Sequence, residues 1–65
     1  MTMAQYRELT EAQQLALREI YERKPLEVTW DQFLAKAYRD TIMDCVMVPW
    51  AGMWLGIEPD GHTHS

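Results

Sequence analysis

The chain has 65 residues, a net charge of −4 at pH 7 and one cysteine, Cys45. At this length folding removes only roughly 60% of the open chain's surface from water, which limits the protein to one thin domain. A lone cysteine excludes an internal disulfide, and the absence of a basic patch interleaved with aromatics excludes an ordinary nucleic-acid binder.

Three Trp, three Tyr, one Phe and five Met are a heavy apolar load for so short a chain, and they argue against disorder. No apolar run approaches the ~20 residues needed to cross a bilayer. The first residues carry Arg7 and Glu8 and no apolar core, so no secretory leader is expected and the reading is of a non-membrane protein. Mixed-sign charges before Asp40 argue against an acidic mimic of DNA.

Residues 1–8 lack periodicity and read as an arm. The spacing then predicts a helix over 10–24. Thr10 can cap the first turn while Gln13 reaches back to it, and Leu9, Ala12, Ala16, Leu17, Ile20 and Tyr21 form an apolar stripe. Lys24-Pro25 supplies the stop, because the residue before proline avoids the α region. The same signal recurs at Thr29 and Gln32 and predicts a helix over 29–41. Trp30, Phe33, Leu34, Ala37 and Tyr38 fall on its apolar face.

Beyond residue 44 the period shortens to two. Val46, Val48 and Trp50 alternate with Cys45, Met47 and Pro49; Met53, Leu55 and Ile57 alternate with Trp54, Gly56 and Glu58. A two-residue turn at Ala51-Gly52 pairs Trp50 with Met53, Val48 with Leu55 and Val46 with Ile57, all on one face. A three-residue loop with a bulge at Gly52 has the better turn chemistry, because Ala is poor at positive φ. Both registers stand. Glu58-Pro59-Asp60-Gly61 is a strong turn, so residues 62–65 fold back as a short third strand. The expected class is α+β, with two helices packed on an antiparallel hairpin or three-stranded meander over 44–65.

The residues suggest little chemistry. His62 and His64 alternate in a strand and are the best metal candidates, yet they have no second ligand pair. Cys45 beside a histidine lacks anything to hold an oxyanion, and no Gly-rich phosphate cradle exists. The expectation is therefore no catalytic residue, no cofactor and no metal. Binding is better represented. Trp50 or Trp54 should lie on the side of the hairpin away from the helices, and Met47 and Met53 add the aromatic and Met content of interface centres. Leu15, off the main stripe of its helix, is a second contact candidate.

From Trp50 onward the chain reads Trp-Ala-Gly-Met-Trp-Leu-Gly-Ile-Glu, then Asp60-Gly61 and Thr63-His64-Ser65. This resembles the W-x-GMWLGIE-x-DG-x-THS ending of a group of small tailed-bacteriophage proteins with helical N-terminal halves. Ala51 stands where many relatives are expected to have Cys, which weakens any thiol-based role. The resemblance brings no activity; it implies a phage gene product made in the host bacterial cytoplasm or carried in the virion. Two functions follow as expectations. One is a small virion structural or accessory component held by a larger protein; the other is an early effector that binds and inhibits a host protein. The helical half also offers a face for a homo-oligomer.

Overall fold

A computed structural model describes residues 1–23 and 27–64. Three helices precede four strands: α1 (Met3–Arg7), α2 (Glu11–Glu22), α3 (Trp30–Lys36), β1 (Tyr38–Asp40), β2 (Cys45–Trp50), β3 (Met53–Ile57) and β4 (Thr63–His64). The strands form one antiparallel sheet in the order β1-β2-β3-β4. The protein is a small α+β fold, with its helices in the N-terminal half and its sheet in the C-terminal half.

Each helix starts in the same way. Thr2, Thr10 and Thr29 are extended N-caps whose hydroxyls accept from the backbone N–H of Gln5, Gln13 and Gln32. In each case the Gln side chain accepts in return from the N-cap N–H, which satisfies two of the donors that a helix start leaves open. Residues 1–8 are therefore not an arm. A cap of the same kind winds Met3–Arg7 into a short helix, and Tyr6 returns to the fold by donating its hydroxyl to the Gln14 carbonyl at 3.1 Å. The helix predicted over 10–24 ends at Glu22 with Arg23 as its C-cap; the expected Lys24-Pro25 stop lies outside the described residues.

The helix predicted over 29–41 is shorter than expected. It stops at Lys36, because Ala37 turns extended (ψ 150°) and Tyr38–Asp40 becomes β1. Ala37 still lies in the core, but Tyr38 leaves the helical face for the sheet. The physical reason lies outside the segment's own periodicity. β2 is a central strand and its backbone needs partners on both edges, which Tyr38, Arg39 and Asp40 supply against Met47, Val46 and Cys45. The Asp40 carboxylate then accepts from the Ile42 and Met43 N–H groups and closes the connecting turn. Residues 44–65 thus belong to a four-stranded meander, with β4 in the place expected for the third strand; Ser65 lies outside the described residues.

The two-residue hairpin is the register adopted. Val46 faces Ile57, Val48 faces Leu55 and Trp50 faces Met53 across a turn with Ala51 at φ 50° and Gly52 at φ 80°. Both turn residues are left-handed, the geometry that matches strand twist in a two-residue loop. Burial of the inner face outweighs the strain at Ala51. Val46, Val48 and Ile57 are fully buried with Leu17, Ile20, Phe33 and Leu34 of the helices, while Trp50 and Leu55 pack at the margin.

Two polar contacts fasten α2 to the far end of the sheet. The buried Gln13 side chain donates to the Ile57 carbonyl at 3.2 Å, and the Thr10 hydroxyl donates to the Pro59 carbonyl at 2.6 Å. A second centre is aromatic. Tyr6, Tyr21 and Phe33 surround Trp30 at ring separations of 5.2–5.8 Å, with the Arg18 guanidinium 4.5 Å above the Trp30 ring. The Trp30 indole N–H points at the Met3 sulfur, 3.2 Å away.

Thr29→Ala removes a cap alone and should lower stability by about 1 kcal/mol. Thr10→Ala removes a cap and the tie to Pro59, and should cost about 2 kcal/mol. Urea denaturation followed by Trp fluorescence compares the two; equal losses would show that the Thr10–Pro59 contact contributes nothing. By the same assay Ala51→Asn should add about 1 kcal/mol, since Asn tolerates the left-handed conformation that Ala resists.

Candidate functional site: the outer face of the sheet

The register that buries one face of the sheet defines the other. Alternation along unbroken ladders places Tyr38 and Asp40 of β1, Cys45, Met47 and Pro49 of β2, and Trp54 and Gly56 of β3 on the outer side. His64 of β4 stands opposite Gly56 on this side. The helices pack on the inner side, so among the described residues no layer covers this one.

The outer face is graded along the strands. Towards the hairpin, Trp54 pairs across the ladder with Pro49, and its ring meets Tyr38 edge-on at 5.7 Å, so the two aromatics reach towards each other across β2. Both rings are 48% exposed, and Met47 beside them is half-buried. At the middle, the His64 imidazole lies over Gly56: a Cβ built there would come within 2.8 Å of the ring. The glycine gives the imidazole its seat.

At the opposite end sits Cys45, buried although it faces outward, with its sulfur 3.5 Å from that of Met47. Burial pushes the thiol pKa up, and the carboxylates of Asp40, Asp44 and Glu58 push it further in the same direction. The thiol stays protonated under ordinary conditions and is a weak nucleophile. Of these acids, Asp44 is ion-paired with Arg39 at 3.4 Å on the exposed surface.

The sequence-derived contact candidates do not assemble into one patch. Trp54 and Met47 share the outer face. Trp50 and Met53 face each other on the inner side, at the uncovered hairpin end; Trp50 packs against the core margin, while Met53 is exposed. Trp50 also lines a groove with Ile20 and Leu55, rimmed by Glu19 and Arg23. Leu15 is exposed on α2 in a shallow depression with Tyr6 and Arg18, apart from the sheet. His62 and His64 are both exposed, and among the described residues no group of three His, Cys, Asp or Glu side chains is placed to hold a metal ion.

Tyr38 is the outer-face residue that sequence reasoning misplaces, because its spacing fits the α3 stripe. Ile42 and Met43 are exposed in the β1–β2 turn, where no helical or strand period marks them. No protein-family model matches the chain, and neither a curated protein nor a solved structure matches it.

The Cys45 shift has a sign that can be tested. The unfolded thiol loses its proton near pH 9.0 while the folded thiol keeps it, so stability should fall as pH rises past 9. Tyr6, whose pKa burial also raises from 10.0 against the opposing pull of Arg18, adds to the decline at higher pH. Urea midpoints measured from pH 7 upward should show this fall in the wild type and a later onset in Cys45→Ala. An unchanged onset would mean that the thiol titrates alike in both states.

Proposed function

We propose that the protein acts by binding another protein through the outer face of its sheet, performs no catalysis, and serves as a small structural or accessory component of a phage particle. The observation that carries the binding reading is the Trp54–Tyr38 ring pair, half exposed above Met47 and Pro49. Exposed large apolar side chains on an uncovered sheet face match the aromatic and Met enrichment of interface centres. A one-layer sheet over a thin core also gains most from a partner, since a second layer would remove more apolar surface from water. Cys45 is buried and held in its protonated form, which makes it a weak nucleophile. The phage setting rests on the likeness of the chain from Trp50 onward to tailed-bacteriophage proteins.

Quantitative mass spectrometry of purified virions tests the reading. The wild-type protein should be present in fixed proportion to the structural proteins. Trp54→Thr, which keeps a strand-forming residue but removes the ring, should reduce incorporation at least about tenfold, the size of effect expected of a central interface Trp. Absence of the wild-type protein from particles, together with capture of a host protein from infected cells, would replace this reading with the host-directed effector.

A further inference from the structure

The docking face carries formal charge of one sign, and this limits what can cover it. From Asp40 to His64 the chain contains no Lys or Arg; its charged side chains there are Asp40, Asp44, Glu58 and Asp60. Asp40 faces outward beside Cys45 by the β1–β2 register, and Glu58 follows β3 at the position that extends the ladder opposite Cys45. Both carboxylates lie close enough to Cys45 to raise its thiol pKa, in keeping with that register. Arg39, the neighbour of Asp40 in β1, alternates to the inner side and is already paired with Asp44. Aromatic rings therefore occupy one end of the face and carboxylates the other.

We infer that the outer face takes a segment of a partner protein in which Arg flanks apolar side chains, the apolar groups resting on Trp54, Tyr38 and Met47 and the guanidinium reaching Glu58 and Asp40. The inference rests on the docking reading above and adds the partner's chemistry to it. A guanidinium suits both halves of the face, because it stacks flat on aromatic rings and its fork of donors matches a carboxylate. The protein already uses such a contact internally, where Arg18 lies 4.5 Å above Trp30. Nucleic acid is disfavoured because its phosphates would meet Asp40 and Glu58. A second copy joined face to face is disfavoured by the same carboxylates, which a two-fold contact would bring against their own kind.

Selection of a displayed random-peptide library on the intact protein tests this. Recovered sequences should be enriched in Arg beside apolar residues. Synthetic peptides made from them should bind at least about tenfold more weakly to Trp54→Thr and about threefold more weakly to Glu58→Gln. They should bind unchanged to Glu19→Gln, which removes the same charge from α2. Tyr38→Ser supplies a second loss of binding if Trp54→Thr proves unfolded by circular dichroism. Recovery of uncharged apolar peptides that need Trp54 would overturn the charge inference and leave the docking reading standing. Equal losses in Glu58→Gln and Glu19→Gln would overturn it as general attraction to an acidic protein. Peptides indifferent to both Trp54 and Tyr38 would overturn the inference and the docking reading together. A dimer in light scattering that Trp54→Thr dissolves would overturn it in favour of a second copy.

Discussion

The register of the β2–β3 hairpin is the constraint from which the remaining structure follows. With a two-residue turn at Ala51-Gly52, Val46, Val48 and Trp50 share a face with Met53, Leu55 and Ile57, and the helices have an apolar surface to cover. A shift of one residue in β2 would have turned that strand over and sent Val46 and Val48 to solvent. The observed register asks for two left-handed residues in succession, and only one of them is glycine. Three fully buried side chains of this sheet face, Val46, Val48 and Ile57, outweigh the strain at a single Ala. The same parity places Trp54 and Met47 outside, so the composition of the outer face is a consequence of how the core is made.

The second dependency joins the two halves of the molecule. α2 is tied to the sheet by packing of Leu17 and Ile20 and by hydrogen bonds from its first turn. Gln13 both completes the cap on Thr10 and donates to the Ile57 carbonyl, while Thr10 both caps and donates to Pro59. One pair of residues thus starts a helix and anchors the turn between β3 and β4. Gly61 is needed there for two reasons. Its φ is 88°, and a Cβ would lie 3.1 Å from both the Cβ and the carbonyl oxygen of Ala12. The turn passes close under the helix because nothing projects from it.

Much of this was legible in the residues, and the failures have identifiable causes. The Thr-x-x-Gln signal marks α2 and α3, and the same signal at Thr2 and Gln5 starts α1 although no long apolar stripe follows it. A cap acts on the backbone and does not require a stripe, so periodicity alone does not reveal so short a helix. The end of α3 is a different case. Ala37 and Tyr38 continue the helical spacing of Phe33 and Leu34, and neither Gly nor Pro interrupts it. Only the unpaired edge of β2, contributed by residues later in the chain, draws Tyr38–Asp40 into a strand. Local spacing carries no record of that demand. The Glu58–Gly61 turn was readable because its residues specify it alone, and it closes as expected with the Gly61 N–H donating to the Glu58 carbonyl at 2.8 Å.

The place of Tyr38 in β1 shapes the outer face directly. Assigned to a helix, Tyr38 would have joined the core, and Trp54 would have stood alone with Met47. Assigned to β1, it meets Trp54 across the intervening strand and turns an isolated exposed ring into a pair. The two rings meet across the row of β2 between them, so part of their role is intramolecular, and Trp54 stands opposite Pro49 in the register. That role is incomplete, because about half of each ring remains in water. Covering Pro49 and Met47 could have been managed by aliphatic or Thr side chains at lower exposure of apolar surface. Two aromatics with polar edges, on a face against which no described helix packs, keep apolar surface in water that folding does not remove, and the docking proposal starts from that surplus.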